Sequence, residues 1–280
     1  MRPMTPRERT IRVGSVDVRT WIGGQGPPLL VLHGAGGNRG FTRWTERVAE
    51  RYTVWAPTHP GFGLSGDAEW MDGIDDLARF YLWFMDAAGL ERPHVIGHSI
   101  GGWTAAEMAT MSPGSIGRLV LVAPAGLKPE TGEILDVFYY PPPQLVPMMV
   151  HDPKTVPEWD ALFGTPLSPA QQEIAVRNRE MTARLAWKPY MHNPRLEHFL
   201  PRITNATLIL WGRQDRVIPV ECGEQYRRRL PGATLTVLEK CGHLPPIEQP
   251  DRFAKLVLEF LEPAGDKPPP YGATSGGARR

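Results

Sequence analysis

The chain has 280 residues, 31 Lys+Arg against 30 Asp+Glu, and two cysteines, Cys222 and Cys241. A net charge of +1 offers no clustered cation to nucleic acid or anionic lipid, so neither partner is expected. Two cysteines exclude a disulfide scaffold or a multi-cysteine metal site, no apolar run reaches the ~20 residues of a membrane span, and the N-terminus has no signal-peptide core. A cytoplasmic globular protein is expected.

In chain order, residues 11–13 and 16–21 alternate apolar and polar around Gly14-Ser15, which predicts an antiparallel pair. Continuous apolar runs at 29–33, 52–56, 94–97, 119–122, 207–211 and 234–238 read as strands buried on both faces. Helical patterns fall between them at about 41–50, 74–89, 100–111, 221–230 and 251–262. Such alternation predicts a mostly parallel α/β sheet.

Proline breaks the rhythm. Residues 29–123 hold four prolines, whereas 124–201 hold thirteen, together with Phe138, Tyr139, Tyr140, Trp159, Phe163, Trp187, Tyr190 and Phe199. So many aromatics exclude a solvated linker, and the block reads as a partly helical insertion at the edge where open α/β sheets bind ligands. Residues 1–123 and 205–262 then form one body and 124–204 a cap. Residues 263–280 have little to bury and are expected to be a disordered tail.

The strongest chemical signal is Gly97-His98-Ser99-Ile100-Gly101, set between a predicted strand and a predicted helix. A serine in such a turn sits on strained backbone that thrusts its hydroxyl over the sheet edge. Ser65, in Gly63-Leu64-Ser65-Gly66, lacks the pattern and the helix. A serine hydroxyl needs a base. Of eight histidines, His243 leaves the last predicted strand at the matching edge and is the expected base. His33, His94 and His98 read as structural, while His59 lies in a loop that could line a pocket. Asp215 follows strand 207–211 and is the expected orienting acid, against the plainer reading of a helix-capping turn aspartate. Glu248 lies beyond the histidine and reads as flanking the last helix. Backbone N–H donors for an oxyanion are assigned to Ala35, with Gly36 as the fallback register, and to Ile100. The Gly34–Gly37 run lacks the spacing of a phosphate-binding loop.

The His33-Gly34 loop, Pro60-Gly61-Phe62-Gly63-Leu64-Ser65, Gly97-His98-Ser99-Ile100-Gly101-Gly102, Trp211-Gly212-Arg213-Gln214-Asp215 and Gly242-His243 together resemble the α/β-hydrolase superfamily over residues 12–262. The resemblance implies an eight-stranded, mostly parallel sheet with a cap after the sixth strand, and neither cofactor nor metal. Members with aspartate at the position of Ser99 dehalogenate alkyl halides or open epoxides, so those activities are disfavoured. The leading expectation is a carboxylic-ester hydrolase of small apolar substrates acting through an acyl-enzyme. Carbon–carbon bond hydrolases of aromatic ring-cleavage products share the triad. Their oxyanion loop usually carries proline and their base is usually followed by Trp, where this chain has Ala35-Gly36-Gly37-Asn38 and Leu244. Cofactor-free perhydrolases have the same triad, and non-catalytic ligand-binding proteins of this fold can retain all three residues, so both readings stay open. Trp103 and Tyr140 are candidate substrate contacts. Arg177, Arg179 and Arg184 meet either an acidic substrate or solvent.

Overall fold

The apolar runs assemble into one eight-stranded sheet in a computed structural model that describes residues 4–262. The expected tail at 263–280 lies outside the described residues. Strands β1 (Met4–Val13) and β2 (Val16–Gly24) are followed by β3 (Pro28–Leu32), β4 (Thr53–Pro57), β5 (His94–His98), β6 (Leu119–Val122), β7 (Thr207–Gly212) and β8 (Thr234–Leu238). Their spatial order is β1-β2-β4-β3-β5-β6-β7-β8. The β1/β2 and β2/β4 pairs are antiparallel and every later junction is parallel. The expected mostly parallel sheet is present.

Successive side chains of a strand face opposite ways, so a buried central strand must be apolar at every position. Leu30, Leu32, Val95, Leu119, Leu121, Ile209 and Trp211 join one core. There they meet helices α2 (Ile74–Ala88) and α3 (Ile100–Met111) through residues such as Phe84 and Met108. The alternate set, Leu29, Val54, Ile96, Val120, Val122, Leu208 and Leu210, joins a second core with α1 (Arg43–Ala49) and the C-terminal helix Pro250–Leu261. Trp44 and Phe253 meet edge-on there, with ring centroids 5.0 Å apart. Each fully buried aliphatic side chain contributes about 1.5–3 kcal/mol. Two such layers hold the strand ends rigid.

β1 corrects the sequence reading. Only its last three residues were legible, yet pairing with β2 extends back to Met4. Residues 5–10 are exposed, and the register shifts between Met4 and Arg7, around Pro6. An edge strand needs no apolar alternation and tolerates proline, so it left no periodic signal.

Between β6 and β7 the chain forms α4 (Pro142–Met148), α5 (Trp159–Phe163), α6 (Pro169–Ala186) and α7 (Leu196–Phe199). Helix α6 starts on a capping box of Ser168 and Gln171 with Pro169 at its first turn, a strong local stop signal for the loop before it. Phe138, Trp187 and Tyr190 pack edge-on with centroids 5.5–6.2 Å apart. Three further α-helices follow among the described residues: α8 (Glu221–Arg229), α9 (Pro245–Glu248) and α10 (Pro250–Leu261). Among the described residues no helix is long and apolar enough to cross a membrane.

Candidate active site

Ser99 stands between β5 and α3 with φ 56° and ψ −119°, a region side chains rarely adopt. The turn closes only because its flanks are bare. A Cβ on Gly97 would lie 2.2 Å from the Gly101 carbonyl oxygen, and one on Gly101 2.4 Å from that of Leu32. The Ser99 N–H donates to Val122 O (2.9 Å), while its carbonyl accepts from Trp103 and Ala125 N–H (3.0 and 3.1 Å). These bonds hold a conformation that costs on the order of 1–3 kcal/mol. The side chain stands at the N-terminus of α3, whose dipole favours negative charge.

Asp215 and His243 arrive from β7 and β8. Asp215 Oδ2 accepts from His243 Nδ1 at 2.8 Å, and the two side chains are 0% and 2% exposed. Asp215 Oδ1 accepts from the Val217 and Ile218 N–H groups (2.8 and 3.0 Å). Asp215 thus does not cap α8, which begins at Glu221 without a side-chain cap; one of its oxygens holds the preceding turn and the other meets His243. An ionised carboxylate only accepts, so Nδ1 carries the proton and Nε2 keeps its lone pair.

The loop holding His243 is pinned from below. Its N–H donates to Met149 O (2.6 Å) and its carbonyl accepts from His98 Nε2 (2.8 Å). Glu248, buried at the end of α9, accepts from the N–H groups of both neighbours, Gly242 (2.9 Å) and Leu244 (3.1 Å), and from His151 N–H (2.7 Å). Glu248 thus does not merely flank the last helix. The sequence showed only an acid five residues past His243, with no sign of which N–H groups it would meet.

The Gly34–Gly37 loop lies against Ser99: a Cβ on Gly34 would sit 3.1 Å from that of Ser99. Gly37 N–H donates to Gly34 O (3.1 Å), which also accepts from His33 Nδ1 (2.7 Å). In a trans peptide the N–H points opposite to the carbonyl, so fixing Gly34 O directs the Ala35 N–H away from the turn. Ile100 opens α3, and its N–H has no acceptor within that helix.

Under this loop three histidines are held neutral. His33 Nε2 accepts from His59 N–H (2.9 Å); His59 Nε2 donates to His33 O (2.8 Å) while its Nδ1 accepts from the Tyr81 hydroxyl (2.5 Å). Burial pushes His33 down to about 4 and His59 well below the ordinary histidine value. His98 falls to about 3 through burial and then the nearby His243. His59, expected to line a pocket, is fully buried with both ring nitrogens engaged.

The remaining candidates are placed as follows. Trp103 is buried and donates its indole N–H to Glu107 (3.1 Å). Tyr140 is half-buried against Tyr139, with ring centroids 5.0 Å apart. The Ser65 hydroxyl donates to Thr58 O (2.8 Å) and accepts from Arg19 N–H (3.0 Å), which occupies it structurally. Arg177, Arg179 and Arg184 each donate to backbone carbonyls, of Gly63 and Ser65, of Phe138 and Tyr140, and of Ala68 and Met71. Cys222 and Cys241 are free and buried. A cleft of about 710 Å³ along α6, lined by Arg177, Glu180, Met181 and Arg184, does not include Ser99.

The model of the alpha/beta hydrolase family matches residues 29–256. The chain is 31% identical over 259 residues to the 2-hydroxy-6-oxo-6-phenylhexa-2,4-dienoate hydrolase of Burkholderia cepacia, covering 85% of this chain and 88% of that protein. Among solved structures, the meta-cleavage product hydrolase of Pseudomonas fluorescens superposes with a TM-score of 0.77 at 26% identity, over 90% of this chain and 97% of that one. A bacterial membrane phospholipase A superposes with a TM-score of 0.75 at 28% identity, over 91% and 86%.

Two outcomes follow from this geometry. Histidines that stay neutral when folded bind protons only on unfolding, so their contribution is complete above about pH 6.5 and is lost as pH falls towards 4. The thermal midpoint should decline across that window, and a flat profile would contradict the neutral network. Glu248→Ala strips the acceptor from three N–H groups and should lower stability by about 3 kcal/mol or more in urea unfolding. Asp251→Ala, which removes the exposed partner of Arg43, should cost less than about 1 kcal/mol.

Proposed function

The chain belongs to the α/β-hydrolase family and is a hydrolase, and from that premise we propose that it cleaves a carbon–carbon bond beside a ketone in a 2-hydroxy-6-oxo-dienoate, the class formed by aromatic ring cleavage. Similarity over 85% of this chain to a hydrolase named for a substrate of that class carries the proposal. It displaces the ester reading to second place. The missing loop proline and Leu244 are changes around the site; they leave Ser99, His243 and Asp215 in place.

Ser99 Oγ attacks the ketone carbon while His243 Nε2 takes its proton, and Asp215 Oδ2 stabilises the imidazolium across the 2.8 Å bond. Ala35 and Ile100 N–H groups receive the oxyanion. Removing one such donor typically costs about 3 kcal/mol of barrier lowering. A carbon leaves only if its electron pair is delocalised. In this substrate class the dienol first shifts its hydroxyl proton to the carbon beside the ketone. Cleavage then returns the pair through the conjugated double bond to the C2 oxygen, which regains a proton from the imidazolium. Water, deprotonated by His243, attacks the acyl-enzyme and releases the acid.

The 124–204 segment serves as the cap, its own Met181 and Met191 being buried in the core that also holds Trp103. The ester reading keeps one specific support, the 28% identical phospholipase structure. Both reactions require the same attack on a carbonyl and differ in the leaving atom.

The discriminating assay compares 2-hydroxy-6-oxo-6-phenylhexa-2,4-dienoate, followed by loss of its conjugated absorbance, with p-nitrophenyl butyrate. The dienoate should have the higher kcat/KM, and Ser99→Ala should reduce it by about 10³-fold or more with the fold retained. A higher kcat/KM for the ester would transfer the assignment to ester hydrolysis.

A further inference from the structure

Helix α6 reaches the loop beside Ser99 through one buried amide. Asn178 is 6% exposed; its Nδ2 donates to Gly36 O (3.3 Å) and its Oδ1 accepts from Gly63 N–H (2.8 Å). Gly37, at φ +88°, is bare where it meets this side chain: a Cβ there would lie 2.4 Å from Asn178 Nδ2. We propose that Asn178 is a positioning residue that holds the Ala35 N–H in its oxyanion-binding direction and so ties that direction to the docking of α6. The inference rests on the reading of Ala35 and Ile100 as oxyanion donors.

The connection runs through two peptide planes. Gly36 O and Gly37 N–H belong to one rigid peptide. Asn178 holds its oxygen end, and Gly34 O accepts from its N–H end at 3.1 Å. Gly34 O belongs to the next plane, whose opposite pole is the Ala35 N–H. Rotating the first plane releases one of the two bonds that orient the second and leaves only that from His33 Nδ1. In a loop of three glycines among Gly34–Gly37 little else resists that rotation, because glycine backbone adopts many conformations at similar energy.

Neighbouring Arg177 supplies the contrast. It ties the same helix to Gly63 O and Ser65 O (3.0 and 2.8 Å) and makes no bond to the Gly34–Gly37 loop. If α6 merely needs anchoring, Arg177 and Asn178 should be interchangeable in effect. If Asn178 orients the loop, only its loss should reach the chemistry.

The test uses Asn178→Asp, which keeps the acceptor for Gly63 N–H but replaces the donor to Gly36 O with an oxygen that repels it. Arg177→Ala is the control. Each is measured for steady-state kinetics on the better of the two substrates above and for amide hydrogen exchange at Gly37. The Asp variant should lose about 10–100-fold in kcat with KM within about threefold, since it misdirects rather than deletes a donor. Its Gly37 amide should exchange at least about tenfold faster, while Arg177→Ala leaves both readings near wild type. Unchanged kcat or unchanged Gly37 exchange in Asn178→Asp, or an equal kcat loss in Arg177→Ala, would overturn the proposal. Should wild type hydrolyse neither substrate, the hydrolytic reading fails by itself, and the exchange comparison still decides whether Asn178 holds the loop.

Discussion

Everything around the site follows from one constraint, the left-handed backbone of Ser99 at the end of β5. A serine stays there only if strand and helix almost touch, which requires bare Cα atoms at Gly97 and Gly101. That close approach in turn needs β3 and β6 on either side of β5, because Leu32 O and Val122 O abut or bond the turn. Parallel neighbours put all strand ends at one edge, and the residues after β3, β7 and β8 are thereby delivered to Ser99. The sheet order is thus the reason that His33, Asp215 and His243, far apart in sequence, share one neighbourhood.

The stretch between β6 and β7 bonds directly to the loops at that edge. It supplies Met149 O to His243 N–H, His151 N–H to Glu248 and Asn178 to Gly36 O. The two backbone loops that face Ser99 are each fastened to it. A similar logic applies beneath the site, where His33 and His59 each accept a bond at a ring nitrogen, as only a neutral ring can, and His98 donates to His243 O. Buried neutral rings brace the loops without placing a further positive charge beside His243.

What the sequence disclosed depended on how local the cause was. The β5 turn, the burial of every residue of Leu119–Val122 and the helix limits at Ile100–Met111 are set within a few residues and were legible to within a residue or two. Chain order and strand ends placed Asp215 next to His243 as well. β1 was mostly hidden because an edge strand needs no apolar period. Glu248 and Asn178 were missed for a different reason: their partners are backbone groups, whose identity no side-chain pattern records. The arginines of α6 looked free because a charge in a helix reads as solvated, yet carbonyls of the 63–71 loop and of residues 138–140 take them.

The proposed substrate class rests on similarity to relatives, whereas Ser99 as the proposed nucleophile rests on the geometry of its turn. Ser99 differs from Ser65, the other glycine-flanked serine, in having strained backbone and no structural role for its hydroxyl among the bonds described. Treatment of the folded protein with a fluorophosphonate, followed by mass spectrometry of its peptides, tests that difference without assuming any substrate. The adduct should fall on Ser99 alone and should form far more slowly when His243 is replaced by Ala. An adduct on Ser65 or elsewhere, or none at all, would contradict Ser99 as the nucleophile.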